Sequence, residues 1–285
     1  MDDPERAPTR EALVADVLAE VDAWPVDTVA AGVTDATTTL ATVGPGDHAF
    51  PLASVTKPLS ALGVLLAVQY GDLHLDEPAG PEGATVRHLL AHASGLPMTS
   101  TGRTVAVGTR RVYSNVGFDL LGELVAERVG TAFAEHLEHE VFAPLGMDGS
   151  RLDGSPAHAA TSTVDDLLAL GRELLAPELL DDGLARDLAT VQFDGLDGVV
   201  PGYGRQVPCP WGLGVEIRGT KSPHWTGPEQ SPDVFGHFGQ SGTYLWVDRA
   251  LDAAAVVLTD RDFGPWAVDA WAPCNQRLAD VLEQR

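Results

Sequence analysis

The chain has 285 residues, 44% of them hydrophobic, with 41 acidic and 18 basic side chains and a net charge of −23. That length and apolar content suit one globular domain with an insertion, or two small ones, and exclude a disordered chain. So acidic a surface repels nucleic acid and anionic membrane, and no apolar run reaches the length of a membrane span.

Residues 1–6 are acidic and lack the basic segment and apolar core of a signal peptide, so a cytoplasmic location is expected. Leu13, Val14, Val17, Leu18 and Val21 recur at helical spacing and predict an amphipathic helix over 9–24. Residues 27–44, rich in Val, Thr and Ala, predict two short strands. Residues 53–70 are apolar nearly throughout and predict a buried helix, followed by a Gly- and Pro-rich loop at 76–84. Helical patterns dominate from 85 to about 191, with loops near 94–112 and 144–162, and 192–210 reads as a connection. Strand patterns return at 212–218, 234–239, 243–247 and 253–258, and 264–284 predicts a closing helix.

The order of helix, strands, many helices, strands and helix predicts an α+β fold of three layers, helix/antiparallel sheet/helix. Residues 1–80 and 205–285 would build the sheet, and 81–204 a mostly helical subdomain inserted between its two parts. A ligand site is expected between the subdomains. Cys209 and Cys274 match no zinc or redox spacing and read as free thiols, with a single disulfide as the alternative. No metal or organic cofactor is implied, and the sequence carries no signature of oligomeric state.

The chain holds two lysines against sixteen arginines. One of them, Lys57, falls three residues after Ser54 in Ser54-Val55-Thr56-Lys57, inside the predicted buried helix. Positions i and i+3 share a helical face, so the Lys57 amine falls within reach of the Ser54 hydroxyl. Arginine keeps its proton in a protein, whereas a buried lysine can lose it, which suits lysine to activating a serine nucleophile. Burying an ammonium without a partner is costly, so Lys57 needs a polar site or a depressed pKa.

Two further segments carry candidate chemistry. In Tyr113-Ser114-Asn115, the tyrosine is a candidate base or proton relay and the asparagine a candidate holder of a substrate carbonyl; a plain helix cap is the alternative. In Gly236-His237-Phe238-Gly239-Gln240-Ser241-Gly242, the glycines allow close approach of a ligand, and His237 is a candidate donor or relay or simply the packed histidine of a hairpin. Trp211, Trp225, Phe238, Tyr244 and Trp246 are candidates for an apolar acyl pocket or for the core. His136, His139 and Glu140 read as a solvated charged face rather than a metal site. No Gly-x-Ser-x-Gly elbow and no Gly-x-x-x-x-Gly-Lys phosphate loop occurs.

Taken in order, Ser54-x-x-Lys57, Tyr113-x-Asn115 and His237-Phe238-Gly239 resemble the three motifs of the serine β-lactamase and penicillin-binding-protein-like superfamily. The likeness is to its class C-like branch of family VIII esterases and D-amino-acid peptidases. Thr85–Pro97, Pro144–Met147, Ser162–Leu167 and Trp211–Gly214 are similar too, so the resemblance covers about residues 50 to 260. It implies a β-lactamase/transpeptidase-like fold and an acyl-enzyme on Ser54, with Lys57 and Tyr113 sharing the proton transfers. It further implies an oxyanion hole of the Ser54 and Gln240 backbone N–H groups, with Asn115, His237, Gly239 and Gln240 binding substrate. His237 stands where lactamases carry lysine, and the loops at 76–84 and 98–112 are short. Both point to an open site acting on small esters or amides, in the manner of an esterase or D-amino-acid peptidase. A β-lactamase, or a ligand-binding sensor on the same fold, is the alternative.

Overall fold

In chain order the first half contains α1 (Arg10–Leu18), β1 (Val29–Thr34), β2 (Thr39–Val43), β3 (Phe50–Pro51), α2 (Thr56–Gln69), α3 (Val86–Leu90) and α4 (Asn115–Val129). There follow α5 (Phe133–Leu137), α6 (Ala143–Leu145), β4 (Arg151–Leu152), β5 (Ala160–Ser162), α7 (Val164–Leu175) and α8 (Asp182–Leu188). The last part holds β6 (Gly198–Val200), β7 (Gly204–Gln206), β8 (Glu216–Ile217), β9 (Phe235–Gly239), β10 (Thr243–Asp248), β11 (Ala253–Thr259) and α9 (Pro265–Glu283). The structure is a computed structural model and describes residues 8–100 and 105–284. The acidic start and the middle of the 98–112 loop lie outside them.

Both ends of the chain feed one antiparallel sheet, ordered β2-β1-β11-β10-β9-β8. Strand β11 is built of small and branched residues along its length, with both faces covered. Its period of two divides it cleanly. Ala253, Ala255 and Val257 point into one core, and Ala254, Val256 and Leu258 into the other. Its neighbour β10 does the same, with Tyr244 and Trp246 on the first side and Leu245 and Val247 on the second. The first core is closed by α1 and α9, whose Val14, Leu18, Trp271, Cys274 and Leu278 are buried there. The second is closed by α2 and by α7, whose buried Val164, Leu167, Leu168, Gly171 and Leu174 form one helical stripe. Each fully buried branched side chain contributes about 1.5–3 kcal/mol. The three-layer helix/sheet/helix architecture is therefore present.

Within the middle stretch the sequence reading needs three corrections. Two-residue β4 and three-residue β5 pair with β3 in a small second sheet, and β6 and β7 form a hairpin inside the expected connection. Strands that short show no alternation to read. The segment holding His136 is not wholly solvated. His136 and Leu137 are buried against α2, where a Cβ at Gly63 would lie 2.5 Å from the Leu137 side chain. His136 Nε2 is 2.9 Å from the Gly63 carbonyl, so the ring is a packing element. Cys209 and Cys274 are buried free thiols. Among the described residues no helix is long and apolar enough to cross a membrane, and no group of three or more His, Cys, Asp or Glu could hold a metal.

Candidate active site

The nucleophile candidate sits where backbone geometry is forced. Ala53 has φ +45°, left-handed for a residue with a side chain, and leads into a short 3-10 turn, Ala53–Val55, that runs on into α2. Such conformations cost of order 1–3 kcal/mol and persist where the surroundings impose them. Here the turn after β9 imposes it. Ser241 Oγ donates to the Pro51 carbonyl at 2.7 Å, and Thr243 Oγ1 donates to the Leu52 carbonyl at 2.9 Å. A Cβ on Gly239 would fall 2.3 Å from Leu52 O and 3.2 Å from the Ser54 nitrogen, so glycine alone lets β9 lie this close to the serine.

Lys57 lies one helical turn along and is fully buried. Its Nζ is 3.3 Å from Ser54 Oγ, 2.8 Å from Asn115 Oδ1 and 2.9 Å from the Ala157 carbonyl. All three partners are neutral, and the Tyr113 and Phe118 rings lie alongside. Burial without a carboxylate contact pushes the ammonium well below the usual lysine range, and the more distant Asp119 opposes the shift only in part.

Tyr113 OH donates to Ser54 Oγ at 2.7 Å and lies 3.4 Å from His237 Nε2. Burial raises the phenol pKa, the Ser54 contact lowers it, and the Glu216 charge raises it further, so the proton stays on oxygen at neutral pH. His237 Nδ1 is 2.6 Å from the Phe238 carbonyl, which can only accept, so that nitrogen carries the ring proton. Burial first, then the nearby Lys57, pulls His237 down to about 3, leaving it neutral with a free Nε2 lone pair toward Tyr113.

Ser54, Lys57, Tyr113, Asn115 and His237 thus meet within hydrogen-bonding range of their neighbours. Gly239 abuts the Ser54 backbone, and Gln240 lines the same narrow slot as Ser54, Tyr113, Trp211 and Phe238. Trp225, Tyr244 and Trp246 are core residues.

Four supports escaped the sequence. The Ala157 carbonyl reaches Lys57 from 100 residues away. His92, buried at φ +54°, accepts the Ser114 N–H at Nδ1 and lies under the Tyr113 ring, 4.5 Å between centroids. Buried Arg111 donates to the carbonyls of Ala91, Cys209, Gln192 and Phe193, which fixes the chain entering Tyr113. Glu216, nearly sealed, lines the slot beside the serine. His92 lies within the Thr85–Pro97 segment that resembles the family, but nothing there marks its role; the partners of Ala157, Arg111 and Glu216 are mostly distant in sequence or formed only by the fold.

A serine at the turn that opens α2, pinned between a buried lysine and a tyrosine, beside a sheet covered by helices on both faces, defines a serine β-lactamase-fold protein. The chain belongs to the Beta-lactamase family, whose model matches residues 16–273. It is 51% identical to a β-lactamase of Mycobacterium bovis, whose crystal structure superposes with TM-score 0.92 over 93% of this chain and 99% of that one. It is 25% identical to esterase EstB of Burkholderia gladioli over 75% of this chain and 78% of that protein. Penicillin-binding protein 4* of Bacillus subtilis is 30% identical over 36% of this chain, a match that spans 30% of that relative's length. Family and relatives indicate hydrolase activity of the serine β-lactamase superfamily.

Proposed function

We propose that the chain hydrolyses small esters or amides through an acyl-enzyme on Ser54. The observation that carries this reading is the Lys57 cage, three neutral contacts with no carboxylate among them. A neutral amine has two N–H bonds and one lone pair. If the two bonds go to Asn115 Oδ1 and the Ala157 carbonyl, the lone pair faces Ser54 Oγ and accepts its hydroxyl proton. Oγ then attacks the substrate carbonyl, and the Ser54 and Gln240 backbone N–H groups hold the oxyanion. As the intermediate collapses, the departing oxygen or nitrogen takes a proton from Tyr113, and the Lys57 ammonium returns one. Water repeats the sequence against the acyl-enzyme, with the restored Lys57 amine as base.

Mixing with p-nitrophenyl butyrate in stopped flow tests this reading. A burst of nitrophenol equal to the enzyme, then steady turnover and a butyryl mass increment on the Ser54 peptide, is the expected result. Neither burst nor turnover would favour a ligand-binding module. The identity to the Mycobacterium bovis β-lactamase favours a second reading, hydrolysis of a β-lactam. Nitrocefin opened with higher kcat/KM than the ester would establish it over the first.

The lysine base also sets a pH dependence. The Asp119 carboxylate favours the Lys57 ammonium, so it raises the pKa that burial lowers. Asp119→Asn removes that charge, lowers the Lys57 pKa and frees the amine at lower pH. The acid limb of kcat/KM is expected to move to lower pH. An unmoved limb would assign it to another group.

A further inference from the structure

The other lysine of the chain, Lys221, is also buried, and its partner is a carboxylate. Lys221 Nζ is 3.2 Å from Glu216 Oε1, donates to the Pro210 carbonyl at 2.9 Å and donates also to the Ile217 carbonyl. His224 Nε2 reaches the same Glu216 oxygen at 3.2 Å, and Trp225 Nε1 donates to Oε2 at 2.8 Å. The His224 ring closes the network through Nδ1, 2.8 Å from Thr226 Oγ1. Burial alone would push the Glu216 carboxyl up, but Lys221 and His224 outweigh it and hold it ionised well below the usual carboxylate range. A sealed ion pair with every donor placed is costly to build, and the proton transfers proposed for Ser54 do not use it.

Its position gives it a use. Glu216 lines the slot beside Ser54, whereas Lys221 and His224 do not. The Glu216 side chain is only 1% exposed, so the pair is a dipole whose negative end lies just beneath the slot's wall and whose positive end lies behind it. The slot's other walls, Ser54, Tyr113, Trp211, Phe238 and Gln240 among them, are uncharged, and His237 there is neutral. The neighbouring groove carries two arginines, but Arg111 is occupied by four carbonyls and Arg110 faces Asp197 at 3.5 Å. Apart from Lys221 behind it, no free cation among the described residues lines the slot or the groove to offset the carboxylate.

We propose that Glu216 is a charge filter on the substrate: its carboxylate, fixed by Lys221 behind it, disfavours acyl or leaving groups that carry a carboxylate and favours neutral or cationic ones. This rests on the acyl-enzyme reading. It deepens it by naming the substrate class as uncharged or cationic esters and amides.

Three nitrophenyl esters test it, the butyrate, the hemisuccinate and the 4-(trimethylammonio)butyrate, in 0.3 M NaCl. That salt screens the diffuse repulsion of the −23 surface and leaves a short-range interaction with a buried charge beneath the slot largely intact. Wild type is expected to turn over the hemisuccinate about tenfold less efficiently than the butyrate, and the cationic ester at least as well. In Glu216→Gln the hemisuccinate-to-butyrate ratio of kcat/KM should rise about tenfold, mostly through KM, and the cationic preference should vanish. Glu216→Gln leaves Lys221 unpaired, so Glu216→Gln/Lys221→Met provides a neutral pair should the single variant not fold. Each ratio is taken within one enzyme, so a reduced folded fraction does not move it. Equal turnover of hemisuccinate and butyrate by wild type, or an unchanged ratio in a folded variant, overturns the filter while leaving the hydrolase intact. Absence of turnover with any ester defeats the hydrolase reading and the filter with it.

Discussion

Ser54→Ala is expected to lower kcat/KM for p-nitrophenyl butyrate by about 10⁴- to 10⁶-fold, the scale seen when a nucleophile is removed. The fold should be untouched. Ser54 is half-buried, and its hydroxyl contacts only groups that have other partners. Lys57 keeps Asn115 Oδ1 and the Ala157 carbonyl, and Tyr113 keeps His237 Nε2 at 3.4 Å. No buried polar group is stranded, so the stability change should stay within about 1 kcal/mol. Steady-state rates with calorimetry on the same preparation separate the two effects. A variant that keeps its melting temperature and loses both turnover and the acyl mass increment places the covalent chemistry on Ser54. One that retains more than about 1% of wild-type activity places it elsewhere.

How much of this is legible in the sequence follows from which contacts are local. The Ser54–Lys57 pair is read from spacing alone, because a separation of one helical turn brings the two side chains to the same side. Strand β11 is legible for a similar reason, since its unbroken run of small and branched residues suits a strand covered on both faces. Tyr113 stands 59 positions beyond Ser54, and His237 a further 124. Their approach to the serine is geometry that no spacing encodes, and only the order of three motifs points to them. Ala157 contributes only a backbone carbonyl, which any residue type provides, so its side chain carries no signal. Glu216 stands in the sequence as one acidic residue among 41. Its distinction is burial beside Lys221, which appears only once the chain is folded. His136 misleads for the converse reason: its charged neighbours suggest a solvated face, and the facing Gly63 lies far off in the chain.

Lys57→Met separates the proton path from packing. Methionine matches the length of lysine without its charge, so the variant keeps an apolar stem between Tyr113 and Phe118. It loses the amine proposed to take the serine proton, and kcat should fall about 10³- to 10⁴-fold with KM little changed. Two stability effects oppose each other. Asn115 Oδ1 and the Ala157 carbonyl lose a donor, at about 1–3 kcal/mol each if left unpaired. Against that, the cost of keeping a desolvated amine disappears. The net change should therefore be smaller than the loss of two hydrogen bonds alone would give. Lys57→Arg is the sharper companion, because arginine restores a cation and its donors but holds its proton. If a placed charge were enough, the arginine variant would recover activity over the methionine variant. If a proton must be taken and returned, both should be equally dead, and the residual rate of each should lose the acid limb that Asp119→Asn displaces in the wild type.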